Sequence, residues 1–221
     1  MTHIFQERQS ILNDNIIEEA TIVEQMIKKI INALINKDTN LLQEIIDGDE
    51  AKVNSLVIEI NEMIIQLIAR FQPEAGDLRS IMMIYKINGD FERIAKKSSK
   101  IAKSILLLMD EPPLKPFQDV PKMLEATISM LKDSITSFTT HNVQLAYDVC
   151  ERDDIVDKYR SHISRELLIL MIEDSALIQK SQSIERITRN IERIADLATN
   201  IAEDVIYIVE GEFIKTKKSK S

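Results

Sequence analysis

The stretch IERITRNIERIADLATNIAEDVIYI, residues 184–208, decides the fold. Its apolar residues Ile184, Ile187, Ile191, Ile194, Ala198, Ile201, Val205 and Ile208 step by 3, 4, 3, 4, 3, 4, 3, which keeps one continuous stripe on a helix face. One hundred residues earlier the same positions hold Ile84, Ile87, Phe91, Ile94, Ser98, Ile101, Ile105 and Leu108. Within these stripes ERIAKKSSKIAK at 92–103 and ERIADLATNIAE at 192–203 are nearly the same phrase, so the chain is written as two copies of one helical unit.

Working outward, each stripe is preceded by a second amphipathic segment. Val53, Leu56, Ile60, Ile64, Leu67 and Ile68 run ahead of RFQPEAGD, and Val156, Tyr159, Ile163, Leu167 and Leu170 run ahead of EDSA. Pro73 suits a first helical turn and Asp174 an N-cap, so both junctions read as tight helix hairpins. A third helix opens each half, at 4–36 and 119–138. Asp38 and Gly48 predict a short extra helix in the first half, and Thr140 before HNVQLAYDV predicts its counterpart in the second.

Four of the five prolines lie in DEPPLKPFQDVP, which cannot continue a helix. The expected organisation is a first three-helix repeat over 1–110, a Pro-rich linker over 111–118, a second repeat over 119–212 and a disordered basic tail, KTKKSKS, within 213–221. The fold class is all-α: two tandem three-helix bundles, six long helices with short connecting helices.

Composition excludes several functions. A net charge of −8 argues against nucleic-acid binding, which needs a basic face to neutralise phosphates. The single cysteine, Cys150, forms no internal disulfide and fits a reducing, cytoplasmic compartment, and MTHIFQERQS has no secretory pattern. The apolar runs ILLLM and LLILMI are far shorter than the roughly 20 residues of a membrane-spanning helix, so a soluble chain is expected.

ARFQPEAGDLR at 69–79, DFERIAKKSSKIAK at 90–103 and IERIADLATNIAEDVIYIVEGE at 191–212, set in two three-helix repeats, resemble the PhoU family of phosphate transport system regulatory proteins. The resemblance covers nearly the whole chain. It implies a non-enzymatic, cytoplasmic and homodimeric negative regulator of phosphate uptake and of the phosphate-starvation response. Such a protein would bridge the ATPase subunit of a phosphate ABC transporter and a sensor histidine kinase, meeting the membrane only through those partners.

The resemblance also implies metal clusters bound by acidic [E/D]-x-x-x-D pairs, the metal being iron, zinc or magnesium. Residues four apart lie one above the other on a helix face, so two carboxylates can close on one hard cation. Matching positions are Asp153 and Asp157 on one helix and Glu192 and Asp196 on the next. In the first repeat they are Glu50 with Asn54 and Glu92 with Lys96, a weaker set. The expectation is that Lys96 neutralises Glu92 and stands in for a metal, leaving at most one full cluster, in the second repeat. The bland reading of all these acids is a solvated helix face.

Arg70, Asp77 and Arg79 in the hairpin motif are read as a structural clasp or a partner contact. Arg186, Arg189 and Arg193 either receive an anionic group or serve in pairs such as Glu185 with Arg189. His3, His141 and His162 lack the ExxH spacing of di-iron bundles, and Cys150 is expected to be a small buried hydrophobe. Two alternatives stand beside the regulator: a metal-dependent hydrolase or redox enzyme using the carboxylates, and a metal-free helical scaffold. Against the enzyme stand the missing Gly-rich phosphate loop and the missing Ser/His or Cys/His pairing.

Overall fold

The computed structural model describes residues 3–211 and, among them, contains helices and no strand. The first repeat comprises α1 (His3–Asn36), α2 (Thr39–Glu44), α3 (Glu50–Phe71) and α4 (Ala75–Leu106). The second comprises α5 (Val120–Thr140), α6 (Val143–Glu173) and α7 (Ile178–Glu210). The basic tail expected at 213–221 lies outside the described residues.

Both stripes are core. Ile184, Ile187, Ile191, Ile194, Ala198, Ile201 and Val205 are buried on α7, as are Ile84, Ile87, Phe91, Ile94, Ser98, Ile101 and Ile105 on α4. Helix α4 packs along α7 and α1 against α5, so these four carry the contact between the repeats, with α3 and α6 on the flanks. The buried apolar residues form one connected core through both halves.

The short helix expected in the first half is present as α2, with Asp38 accepting from the Asn40 N–H at 3.0 Å. Gly48 does not end it as a break: a π-helical turn, Ile45–Asp49, carries the chain from α2 straight into α3, with right-handed backbone at both Glu44 and Glu50. The wide turn absorbs an extra residue and lets both Ile45 and Asp49 face inward. In the second half no separate short helix forms. His141 ends α5 in the left-handed region and Asn142 caps α6 by accepting from the Leu145 N–H at 3.1 Å. Ala146, Val149, Val156 and Ile163 then keep the apolar stripe going, so nothing interrupts the helix.

The hairpins form as expected, with one shift. Gln72, at φ 44, closes α3, and Pro73 stands just before the α4 cap residue Glu74 rather than inside the first turn. Asp174 accepts from the Ala176 N–H at 2.9 Å and starts a short 3-10 turn leading into α7. Between the repeats, a 3-10 turn at Lys115–Asp119 leads from the proline segment into α5, with Pro121 in its first turn. Lys180 of α7 secures this segment, donating to the Pro112 carbonyl and pairing with Glu111 at 3.0 Å.

Candidate functional site

Helices α6 and α7 pack against each other and carry the four second-repeat carboxylates. Asp153 is buried; Asp157, Glu192 and Asp196 are half-buried. Arg160, three residues beyond Asp157, donates from Nη1 to Glu192 Oε1 at 2.9 Å and lies 3.9 Å from Glu185. Glu192 is therefore already compensated by a guanidinium on the facing helix. Among the described residues no group of three or more His, Cys, Asp or Glu side chains is placed to hold a metal ion. As arranged, the four acids do not fit a gathered ligand set; a cation there has to take Glu192 from Arg160.

The first repeat shows the compensation expected from its sequence. Lys96 Nζ lies 2.5 Å from Glu92 Oε1, an ammonium where the second repeat has Asp196. Glu50 opens α3 and is half-buried. Near the π-helical turn a second lysine plays the same part: Lys29 bridges Asp49 at 2.7 Å and Glu44 at 2.9 Å.

One fully buried carboxyl in this half has no such partner. Glu19 of α1 is completely buried, and neither of its oxygens has a hydrogen-bond donor. Burial, and then the neighbouring Glu92 charge, push it up to about 9, so it holds a proton at neutral pH. Its place in the sequence was a readable signal: Ile16, Glu19, Val23, Met26 and Ile30 step by 3, 4, 3, 4, which puts Glu19 inside the apolar stripe.

An ion pair with a buried carboxylate joins the repeats. Lys86 of α4 lies 2.5 Å from Asp204 of α7, whose side chain is 1% exposed. Burial chiefly raises Asp204, to about 6, against the pull of Lys86 and with the help of nearby Asp90. Asp90 is raised as well, again by burial, although Arg93 holds it at 3.0 Å. The Arg93–Asp90 pair follows from its i,i+3 spacing on α4, whereas Lys86 and Asp204 meet only when the two repeats pack.

The hairpin residues divide. Arg70 lies over the Phe71 ring, 5.6 Å from its centroid, and no ion pair joins it to Asp77, which sits in the first turn of α4. Arg79 instead reaches α7: its guanidinium is 5.4 Å from the Tyr207 ring centroid and packs beside Gly211. Arg186 donates to Ser183 at 2.9 Å, and Arg189 lies 3.9 Å from Glu185, the local pairing its spacing allowed. Cys150 is half-buried; burial first, then Glu203 and Asp153, push its thiol up to about 12, which removes it as a nucleophile at neutral pH.

Comparison with known proteins bears directly on this repeat. A family model described as PhoU domain matches residues 16–105 and again 120–205. The phosphate-specific transport system accessory protein PhoU homolog of Aquifex aeolicus is 39% identical over 207 residues, covering 94% of this chain and 93% of that protein. The Thermotoga maritima protein named PhoU homolog 2 is 33% identical over 215 residues, covering 97% and 91%. The crystal structure of PhoU from Pseudomonas aeruginosa superposes with a TM-score of 0.90 at 31% identity, covering 94% of this chain and all of that one. One matched span lies in each half of the chain, and the chain belongs to the PhoU domain family.

Proposed function

We propose that this chain is a regulatory accessory protein of phosphate transport, a negative regulator of phosphate uptake and of the phosphate-starvation response. The observation that carries the reading is the match of both repeats, over nearly full length, to proteins named as phosphate-specific transport system accessory proteins. It works in the cytoplasm as an adaptor between the ATPase subunit of a phosphate ABC transporter and a sensor histidine kinase, as a homodimer and without chemistry of its own. In support, no described helix is long and apolar enough to cross a membrane. The side chains gathered between the helices are ion pairs rather than a nucleophile with its base, and the one thiol is held protonated.

A metal belongs to this proposal in the second repeat only, held by Asp153, Asp157, Glu192 and Asp196 once Arg160 has released Glu192. Metal content per chain after reloading, compared between wild type and Asp196→Ala, tests this part: equal content in both refutes it.

Co-purification of the tagged chain with the transporter ATPase subunit, and separately with the sensor kinase, at high and low phosphate tests the adaptor. Retention of both partners at high phosphate is expected. Retention of neither at any phosphate level overturns the reading.

A further inference from the structure

The seam between α4 and α7 changes character along its length. At one level Lys86 meets Asp204 across it, and next to them Arg93 is held by Asp90. Moving 11 residues along α4 from Lys86 gives Lys97, and moving 11 residues back along α7 from Asp204 gives Arg193. Eleven residues are about three helical turns, roughly 16 Å, so in antiparallel rods these two also face each other on the same side of the seam. The electrostatics agree: Lys97 lies below the ordinary lysine value, through burial first and then through Lys100 and Arg193. Lys97 is half-buried, while Lys100 and Arg193 are exposed.

The internal repeat shows how this cluster arises. Arg93 and Arg193 occupy corresponding positions one hundred residues apart. Three residues before Arg93 stands its partner Asp90; three residues before Arg193 stands Asn190, whose amide donates instead to the Arg186 carbonyl at 2.8 Å. The second repeat lacks the acid that neutralises the corresponding arginine of the first, and the first repeat carries two lysines, Lys97 and Lys100, where the second has Leu197 and Asn200. Among the described residues none of the three cations belongs to an ion pair, in a chain whose 36 acidic residues outnumber its 28 basic ones.

Three neighbouring cations without an ion-pair partner repel one another, and an anion between them reverses the sign of that energy. A guanidinium fork flanked by two ammonium groups suits an oxyanion with more than one charge better than a carboxylate, because it offers charge from two sides and paired N–H donors from one. We propose that Lys97, Lys100 and Arg193 form an anion site astride the two repeats, for a doubly charged oxyanion of the phosphate class. The ion touches α4 and α7 together, so it binds the packed arrangement of the repeats and stabilises it. The same chemistry serves free inorganic phosphate and a phosphoryl group carried on a partner protein. The site stands apart from the adaptor reading and from the carboxylates, and binding to the isolated chain is measured without either.

Isothermal titration of the purified full chain with sodium phosphate and with a short phosphoserine peptide, at constant ionic strength in chloride, is the test. Binding of either probe is expected, and which of them binds identifies the source. Lys97→Leu, which installs the residue of the second repeat, and Arg193→Gln should each weaken binding at least tenfold. The same two variants should melt at higher temperature than wild type without phosphate, since repulsion is relieved, so misfolding is not the cause. Arg186→Gln, on the same helix but bonded to Ser183, should bind as wild type does. The proposal is overturned if neither probe binds above chloride, or if Lys97→Leu and Arg193→Gln bind as wild type.

Discussion

Replacing Glu19 by methionine should make the protein more stable, by an amount that depends on pH in a stated direction. In the unfolded chain this carboxyl releases its proton near 4.5, whereas in the folded core it keeps the proton up to about 9. Between those values the folded state binds the extra proton, so stability falls as pH rises through the window and the full penalty is present above pH 9. At pH 7 the distance from 4.5 corresponds to about 3 kcal/mol, at ~1.4 kcal/mol per unit. The protonated carboxyl that remains is buried without a hydrogen-bond donor for either oxygen, which adds to the cost. Methionine has similar length, no charge and a flexible stem that suits an apolar stripe.

Urea unfolding followed by circular dichroism at pH 5, 7 and 9, on wild type and Glu19→Met, measures the effect. The variant should gain about 3 kcal/mol at pH 7, more at pH 9 and least at pH 5. Asp204 titrates in part of the same range, but it does so in both proteins, so the difference between them isolates Glu19. A variant that is less stable at pH 7, or that shows the wild-type slope between pH 5 and pH 9, would refute the reasoning.

Lys86→Met leaves Asp204 buried without its ammonium. A loss of about 2–3 kcal/mol in denaturant unfolding is expected, below the full cost of breaking a buried pair because Lys86 is half exposed. The double variant Lys86→Met with Asp204→Asn should recover most of it. Gly211→Ala forces an L-residue to φ 78 and puts its Cβ 2.7 Å from Arg79 Nη1; a cost of about 1 kcal/mol, read as a lower Tm, is expected. Cys150 should react with a thiol-specific disulfide reagent at pH 8 more than a hundredfold slower than free cysteine, given a thiol held near 12. Reaction at the free-cysteine rate would show that the thiol is not buried as described.

The helical architecture was legible because periodicity is a local property. The 3-4 stripes on α4 and α7 needed only the letters between 84 and 108 and between 184 and 208, and every one of their residues up to Ile105 and Val205 is buried. The π-helical turn at Ile45–Asp49 was not legible: Asp-Gly-Asp reads as a break, and only the packing that draws Ile45 and Asp49 inward keeps the helix going. The Lys96–Glu92 pair was read correctly because it is one turn apart on one helix. Arg160 on Glu192, Lys86 on Asp204 and Lys97 beside Arg193 were not, because each joins two helices whose register is set by the whole core. Glu19 is legible as a charge that interrupts the apolar stripe Ile16, Val23, Met26 and Ile30.

Under the proposed function, the chain restrains phosphate uptake rather than carrying out chemistry. The measurement that addresses it most directly is the initial rate of labelled phosphate uptake in phosphate-replete cells with the gene deleted, and with wild-type protein restored. A several-fold rise in uptake on deletion, with the starvation response switched on despite ample phosphate, both reversed by the restored protein, is the predicted result. Unchanged uptake and a silent starvation response in the deleted cells would contradict it.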